Sequence, residues 1–179
     1  MINHRLRRFI LNGGLIAYPT ESCYGLGCSP FLYKSIMKIN ILKKRQKNKN
    51  FIVIGSSLNQ FNRLINIMNT NEKRRLHTKW PGPHTWLINA NIKSPKWLIS
   101  SNKIALRIPS FKPCRDITNG ISYPVISTSL NKSGMRSIKN YRDASRLFNG
   151  KVKIIKGRIG RNRKPSSIHD FSSGMIYRN

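Results

Sequence analysis

Acidic residues are scarce in this chain of 179 residues, which has five Asp and Glu against 34 Lys and Arg. Glycosidase sites with paired carboxylates, and magnesium or calcium sites built wholly from protein carboxylates, need more acidic side chains and are poorly supported. An enzyme of this composition is expected to work through cations, hydroxyl groups and backbone N–H donors. The acidic residues are Glu21, Glu72, Asp116, Asp143 and Asp170.

Other signatures are also lacking. The three cysteines include no Cys-x-x-Cys pair, so neither a disulfide framework nor a zinc site is indicated, and a reducing cytoplasm fits. No apolar run approaches the ~20 residues of a membrane span, so no membrane attachment is expected. The histidines lack the His-Glu-x-x-His spacing, and neither a Gly-x-Ser-x-Gly elbow nor a Gly-x-x-x-x-Gly-Lys phosphate loop occurs.

The net charge of +29 has two explanations. A polyanionic partner, such as tRNA or another RNA, would favour a strongly basic surface. The codon bias of an AT-rich genome would give the same excess of Lys, Asn and Ile without any binding role. The even spread of basic residues along the chain favours codon bias, whereas the number of Arg residues does not, and both explanations stay open.

Short apolar runs that alternate with helical patterns predict one α/β (α+β) domain over residues 1–179. Helices are predicted around Leu6–Ile10, from Ser29-Pro30 to about Lys43, from Ser57 to Met68 and over Tyr141–Phe148. Strands are predicted at Leu15–Tyr18, Phe51–Ile54, Thr85–Ile88, Ile104–Ile108, Val125–Ile126 and Val152–Ile155.

Several polar clusters lie where these apolar runs end. Ser127–Gly134 follows an apolar run and predicts a loop whose hydroxyl and N–H groups could hold phosphate or carboxylate oxygens. The segment 18–28 leaves the first strand and predicts a tight loop that would expose Thr20 and Glu21. The basic segment 43–50 could hold a triphosphate, although basic residues are common at helix C-termini. Each cluster alone is also typical of an ordinary turn.

Arg107 stands inside an apolar strand, and a buried guanidinium needs an anionic partner because it does not readily deprotonate. That partner is either a substrate carboxylate or one of the five acidic side chains. The segment Trp80–Trp86 is interpreted as a rigid structural turn.

Taken in order, these segments resemble the YrdC/Sua5 family, from about residue 5 to the C-terminus. The resemblance is to the short, single-domain bacterial form. The matching motifs are Tyr18-Pro19-Thr20-Glu21, Gly25-Leu26-Gly27, Lys43-x-Arg45, Trp80-Pro81-Gly82-Pro83-x-Thr85, Leu106-Arg107-x-Pro109 and Ser127-Thr128-Ser129-x-Asn131-x-Ser133-Gly134.

The resemblance implies a twisted mixed sheet, flanked by helices, around a large, open, basic cavity. It implies a nucleotidyltransferase that condenses L-threonine, bicarbonate or CO₂ and ATP into threonylcarbamoyl-adenylate and pyrophosphate. That product serves the modification of tRNA by a threonylcarbamoyl-transferase complex. Mg²⁺ is expected to arrive with ATP rather than in a protein metal site. The alternative is a non-catalytic RNA-binding protein of the same fold.

Matching positions also imply site residues, with no catalytic group assigned. The L-threonine pocket would comprise Thr20, Arg107, Ser127 and Ser166, with Arg107 on the carboxylate. The nucleotide contacts would be Lys43, Arg45, Lys49, Ser129, Asn131, Ser137 and Arg178. Two departures from the family pattern stand out. Gln46 replaces a proline and should loosen its loop, and Leu130 replaces an alanine and is expected to narrow the nucleotide site.

Overall fold

One mixed sheet of nine strands organises the described part of the chain. The computed structural model describes residues 3–45, 50–66, 68–162 and 164–178. The strands are β1 (Ile16–Pro19), β2 (Tyr24–Gly27), β3 (Ile52–Ile54), β4 (His84–Asn89), β5 (Lys103–Arg107), β6 (Val125–Ser129), β7 (Lys153–Ile154), β8 (Ser167–Asp170) and β9 (Ile176–Arg178). Their order across the sheet is β7-β1-β2-β6-β3-β5-β4-β8-β9.

Five helices accompany the sheet in the described residues. They are α1 (His4–Leu11), α2 (Tyr33–Lys43), α3 (Thr70–His77), α4 (Lys112–Gly120) and α5 (Tyr141–Phe148), with short 3-10 helices at Leu58–Phe61 and Lys96–Leu98. The predicted class, a mixed α/β sheet flanked by helices, is confirmed. Within the described ranges, no helix combines the length and the apolar character that crossing a bilayer requires.

Both faces of the sheet are covered, because successive strand residues enter two different hydrophobic clusters. On β6, Val125 belongs to the smaller cluster and Ile126 to the larger one. Successive side chains of a strand point to opposite faces, so this alternation assigns the clusters to the two faces. Leu6 and Ile10 of α1 join the smaller cluster, whereas the larger one receives residues of α2, α3 and α5.

The polar run after Ile126 extends the strand, which corrects the predicted loop. β6 continues to Ser129, because it has hydrogen-bonding neighbours on both sides. Ser129 lies opposite Gly25 of β2, and Ser127 lies opposite Ile52 of β3. The segment Tyr24–Gly27, predicted as part of a loop, is likewise a strand, so the hydroxyl groups of β6 lie in the middle of the sheet.

One predicted helix does not form, and another begins later than predicted. Among the described residues of the 57–68 segment, only the 3-10 turn Leu58–Phe61 forms, and Ile65 instead pairs with Ala90 in a β-bridge. The Asn residues of this segment compete for backbone hydrogen bonds, which disfavours a helix. Ser29 does not cap α2, because that helix begins only at Tyr33, after Leu32. The Ser29 Oγ instead accepts from the Phe31 N–H and contacts the Tyr123 hydroxyl.

Candidate active site

A cavity of about 300 Å³ lies at the strand ends and is lined by all four residues assigned to the L-threonine pocket. Thr20 follows β1, Arg107 ends β5, Ser127 lies in β6 and Ser166 precedes β8. These positions are distant in sequence, and the strand order of the sheet brings them together. The volume is at the lower end of the ~300–1,000 Å³ usual for small-molecule sites. The large cavity implied by the family therefore stays a prediction.

Arg107 is held at the cavity by two groups of the protein. Its Nη2 donates to Oε1 of Glu21 at 2.6 Å, and its Nε donates to the Gly82 carbonyl at 3.1 Å. The two side chains of the ion pair are 13% and 11% exposed, respectively. Of the two partners that the sequence left open for Arg107, the structure shows an internal carboxylate, and this carboxylate also faces the cavity.

The turn between Trp80 and Trp86 positions Arg107 through the Gly82 carbonyl. The Trp80 indole N–H donates to the His84 carbonyl at 2.8 Å, and the Gly82 N–H donates to the Ile108 carbonyl at 2.9 Å. A Cβ at Gly82 would lie 2.2 Å from the Lys79 carbonyl oxygen, so only glycine fits there. This turn is therefore structural, as predicted, and its role is to orient the Arg107 guanidinium.

The loop that carries Thr20 and Glu21 is fixed from two sides. The Thr20 hydroxyl donates to the Cys23 carbonyl at 2.8 Å. The Thr20 and Glu21 carbonyls accept from the N–H groups of Gly160 at 2.9 Å and Asn162 at 3.1 Å. A Cβ at Gly160 would come within 2.7 Å of the Glu21 carbonyl oxygen. The loop thus needs the close approach of a glycine.

The segment that follows β7 forms a wall of the cavity that the sequence analysis missed. It contributes Asn162 and Lys164 to the lining. It has no apolar periodicity and no motif, so the only available signal was its Gly-rich and basic composition.

Ser166 is tied to the far side of the cavity. Its Oγ lies 2.9 Å from Oγ1 of Thr85, and both side chains are buried. Its carbonyl accepts from Nε of Arg178 at 2.9 Å and from Nη2 at 2.7 Å. Burial and the nearby Arg107 charge lower the pKa of the Arg178 guanidinium. The C-terminal segment therefore returns to the cavity through Ser166 and Arg178.

The nucleotide candidates fall into two groups. Arg45, Ser129 and Arg178 line the same cavity. The Arg45 guanidinium donates to the Asn50 carbonyl at 2.9 Å and lies 4.7 Å from the centre of the Phe51 ring.

Three further candidates, which the structure describes, are absent from the cavity lining. Lys43 and Asn131 lie beside it, and Ser137 is exposed on the segment after β6. Lys49 and the substituted Gln46 lie outside the described residues.

Lys43 is a buried clamp on the end of β6. Its Nζ donates to the carbonyl oxygens of Ser129 and Asn131, the latter at 2.6 Å, and contacts Oδ1 of Asn131 at 3.5 Å. Burial and the Arg45 charge lower the pKa of Lys43 to about 8. The Asn131 amide in turn donates to the Met135 carbonyl at 2.7 Å. Both side chains therefore hold the backbone of the segment that follows Ser129.

Leu130 does not narrow the cavity. Its side chain is fully buried in the larger hydrophobic cluster and is absent from the lining. The expectation of a narrowed nucleotide site was wrong, because the alternation along this segment directs Leu130 into the core while Ser129 faces the cavity.

The cavity is basic with a single acidic group. Four cationic side chains line it, whereas Glu21 is the sole acidic residue among the described residues that do so. No group of three or more His, Cys, Asp or Glu side chains suited to a metal ion occurs in the described ranges. The basic lining residues are Arg45, Arg107, Lys164 and Arg178.

A family model for Sua5, YciO and YrdC, described as telomere recombination, matches residues 8–179. The chain belongs to this family. A threonylcarbamoyl-AMP synthase of Methylobacillus flagellatus is 38% identical over 174 residues, which cover 97% of each chain. A threonylcarbamoyl-AMP synthase of Neisseria gonorrhoeae is 40% identical over 176 residues, which cover 97% of this chain and 93% of the relative.

Solved structures of the family share the fold. The P. abyssi Sua5 complexed with L-threonine superposes with a TM-score of 0.81 at 26% identity, covering 93% of this chain. This chain spans 50% of that protein's length. YciO of E. coli superposes with a TM-score of 0.79 at 21% identity, covering 98% of this chain and 87% of the other, which supports the fold alone.

Proposed function

We propose that this protein is a threonylcarbamoyl-AMP synthase, a nucleotidyltransferase that joins L-threonine, bicarbonate or CO₂ and ATP. The observation that carries the proposal is the convergence of Thr20, Arg107, Ser127 and Ser166 on one cavity, next to Arg45, Ser129 and Arg178. The first group suits a small hydroxylated amino acid, and the second suits phosphate oxygens. The names of the curated relatives, which cover nearly the whole chain, support the same activity.

The chemistry requires few protein bases. The threonine ammonium first loses a proton to water. The free amine then attacks the carbon of CO₂, a C–N bond forms, and a second proton leaves to water, which gives a carbamate. A carbamate oxygen then attacks the α-phosphorus of ATP, the bond between the α- and β-phosphates breaks, and pyrophosphate leaves. The protein contributes by positioning the reactants and by stabilising the charge on the departing pyrophosphate. A cavity with four cations and one carboxylate suits these tasks.

In this proposal Arg107 binds the threonine carboxylate through a paired contact of its guanidinium, a geometry that lysine does not offer. Ser127, Ser166 and Thr20 are neutral hydroxyl groups around that cation and would bind the substrate's polar groups. Because Thr85 and Arg178 already hold Ser166, its hydroxyl is oriented before substrate arrives.

On the nucleotide side, Arg45 and Arg178 are the cations and Ser129 the hydroxyl group in the proposed site. Lys43 and Asn131 support it indirectly by holding the backbone after Ser129. Mg²⁺ enters with ATP as part of the substrate, held by phosphates and water. This fits a cavity whose single carboxylate is already paired with Arg107.

We further propose that the reaction takes place in the cytoplasm, where ATP and tRNA are available, and that the adenylate passes to a tRNA threonylcarbamoyl-transferase complex. The +29 charge supports a direct contact with tRNA or another RNA. Such binding would weaken steeply with increasing salt, in proportion to the phosphates neutralised. Adenylate synthesis relies on cavity contacts and would change less, so a salt titration separates the enzyme from a non-catalytic RNA-binding protein.

The proposed function is tested by incubating the protein with ¹⁴C-bicarbonate, ATP and Mg²⁺ and separating the products by chromatography. The proposal predicts a labelled adenylate that forms only when L-threonine is present. Absence of a labelled product at every threonine concentration, while RNA binding persists, would support the non-catalytic alternative instead.

A further inference from the structure

Glu21 is distinguished from the other acidic residues by its place. The remaining four stabilise elements away from the cavity. Glu72 completes the capping box of α3, and the Asp143 carboxylate accepts from the side chain of Asn140, the residue that caps α5. Asp116 and Asp170 pair with Lys112 and Lys103. In a chain with so few acidic groups, the one that faces the cavity is paired with the cation proposed to bind substrate. Its charge complements a part of the substrate that the assigned residues leave without an anionic partner.

That part is the α-ammonium group of the amino acid. Thr20, Arg107, Ser127 and Ser166 supply a cation and three hydroxyl groups, so they neutralise the carboxylate but not the ammonium. Glu21 Oε1 lies 2.6 Å from Nη2 of Arg107, which places one negative and one positive group side by side at the cavity. A zwitterion carries the complementary pair of charges at a similar separation.

We propose that Glu21 is the ammonium-binding residue of the threonine pocket, and that L-threonine inserts into the Glu21–Arg107 ion pair. This inference rests on the proposed function, which assigns threonine to this cavity. The substrate carboxylate takes the place of Glu21 on Arg107, and the substrate ammonium becomes the new partner of Glu21. Each buried charge is paired before and after the exchange, so neither is left with the cost of an isolated buried ion.

The surrounding contacts allow this exchange without movement of the backbone. The Glu21 backbone is fixed by Asn162 and by the close approach of Gly160, so only the side chain needs to rotate. Arg107 keeps its Nε hydrogen bond to Gly82, so the guanidinium stays in place while Nη2 changes partner.

The Glu21–Arg107 ion pair should select amino acids over carboxylates that lack an ammonium group. A carboxylate without an ammonium group could displace Glu21 from Arg107 only by leaving Glu21 buried and unpaired. Such ligands should bind poorly, because the Glu21 carboxylate would stay buried without a partner and its desolvation free energy would not be compensated. L-threonine avoids this penalty, whereas its deamino analogue 3-hydroxybutyrate does not.

The test measures the affinity of both ligands for the wild-type protein and for Glu21→Gln by isothermal titration calorimetry. For Glu21→Gln, L-threonine binding should weaken by roughly 10- to 100-fold, the usual effect of losing a hydrogen bond to a charged group. Binding of 3-hydroxybutyrate should stay equal or tighten, because its competitor for Arg107 is gone. Asp116→Asn, which removes a carboxylate from an exposed pair, is the matched control and should change neither affinity.

Three results would overturn the inference. Two concern Glu21→Gln: unchanged threonine affinity, or equal weakening of both ligands, which would make Glu21 only a support for Arg107. The third is equal affinity of the wild-type protein for L-threonine and 3-hydroxybutyrate. The last comparison needs no variant and so does not depend on the folding of Glu21→Gln. Failure of the proposed function gives a different result, since a protein that selects threonine over 3-hydroxybutyrate but makes no adenylate refutes the synthase and retains the Glu21 assignment.

Discussion

Replacing Arg107 by methionine tests stability and binding at one position. The change removes the guanidinium and leaves the Glu21 carboxylate, only 11% exposed, without its cation. Breaking a buried ion pair by removing one partner typically costs about 3–5 kcal/mol, and the partial exposure of both groups favours the lower end, near 3 kcal/mol. For a domain of this size each kcal/mol corresponds to about 2–4 °C in Tm, so Tm should fall by roughly 6–12 °C.

The double variant Glu21→Gln/Arg107→Met separates the two effects. Because it removes both charges, its loss in free energy of unfolding should be about 1–3 kcal/mol smaller than the sum of the losses in the two single variants. Neither variant should bind L-threonine, since both lack the cation for its carboxylate.

Urea unfolding and calorimetric titration with L-threonine measure the two quantities. If the loss of stability in the double variant equals the sum of the two single losses, the ion pair contributes no coupling free energy, and the predicted cost of breaking it is too large. Threonine affinity retained by Arg107→Met would show that Arg107 is not the carboxylate ligand.

Three further predictions concern residues outside this pair. Lys43→Met should speed hydrogen exchange at the backbone N–H of Asn131 and raise the KM for ATP but not for threonine. Unchanged exchange would contradict the role of Lys43 in holding this backbone. Asp170, whose pKa the Lys103 contact lowers to about 2 from 3.8, should contribute on the order of 1–2 kcal/mol above pH 3.8 and lose it as the pH falls to about 2. The stability difference from Asp170→Asn should therefore shrink over that interval, and a constant difference would refute the assignment. Leu130→Ala should lose about 2–5 kcal/mol of stability with unchanged ATP affinity, whereas an altered affinity in a stable variant would place Leu130 at the site after all.

Local signals predicted α5 well, whereas α3 was not predicted although Asn69 and Glu72 form a complete capping box at its start. The bounds Tyr141–Phe148 of α5 match the prediction, with the Asn140 side chain accepting from the Asp143 N–H at its start. The 57–68 segment has an equally clear apolar face, yet it folds differently because Ile65 finds a partner in Ala90. That pairing joins distant parts of the chain, and periodicity does not report it.

The candidate site shows the same division. Motif order was enough to group Thr20, Arg107, Ser127 and Ser166, and all four line one cavity. The need of Arg107 for an anion could also be predicted, but not which anion, because Glu21 is 86 residues away and only the strand order brings the two together. The wall formed by Asn162 and Lys164 has no sequence signal beyond composition, since backbone hydrogen bonds position it.

The most direct test of the central claim is pyrophosphate release by the purified protein with ATP, Mg²⁺ and bicarbonate, measured with L-threonine, with L-serine and without an amino acid. A cavity that places a threonine carbamate against the α-phosphorus of ATP predicts release that depends on L-threonine and on bicarbonate. Release that is absent at every threonine concentration, or that proceeds equally without an amino acid, would contradict it.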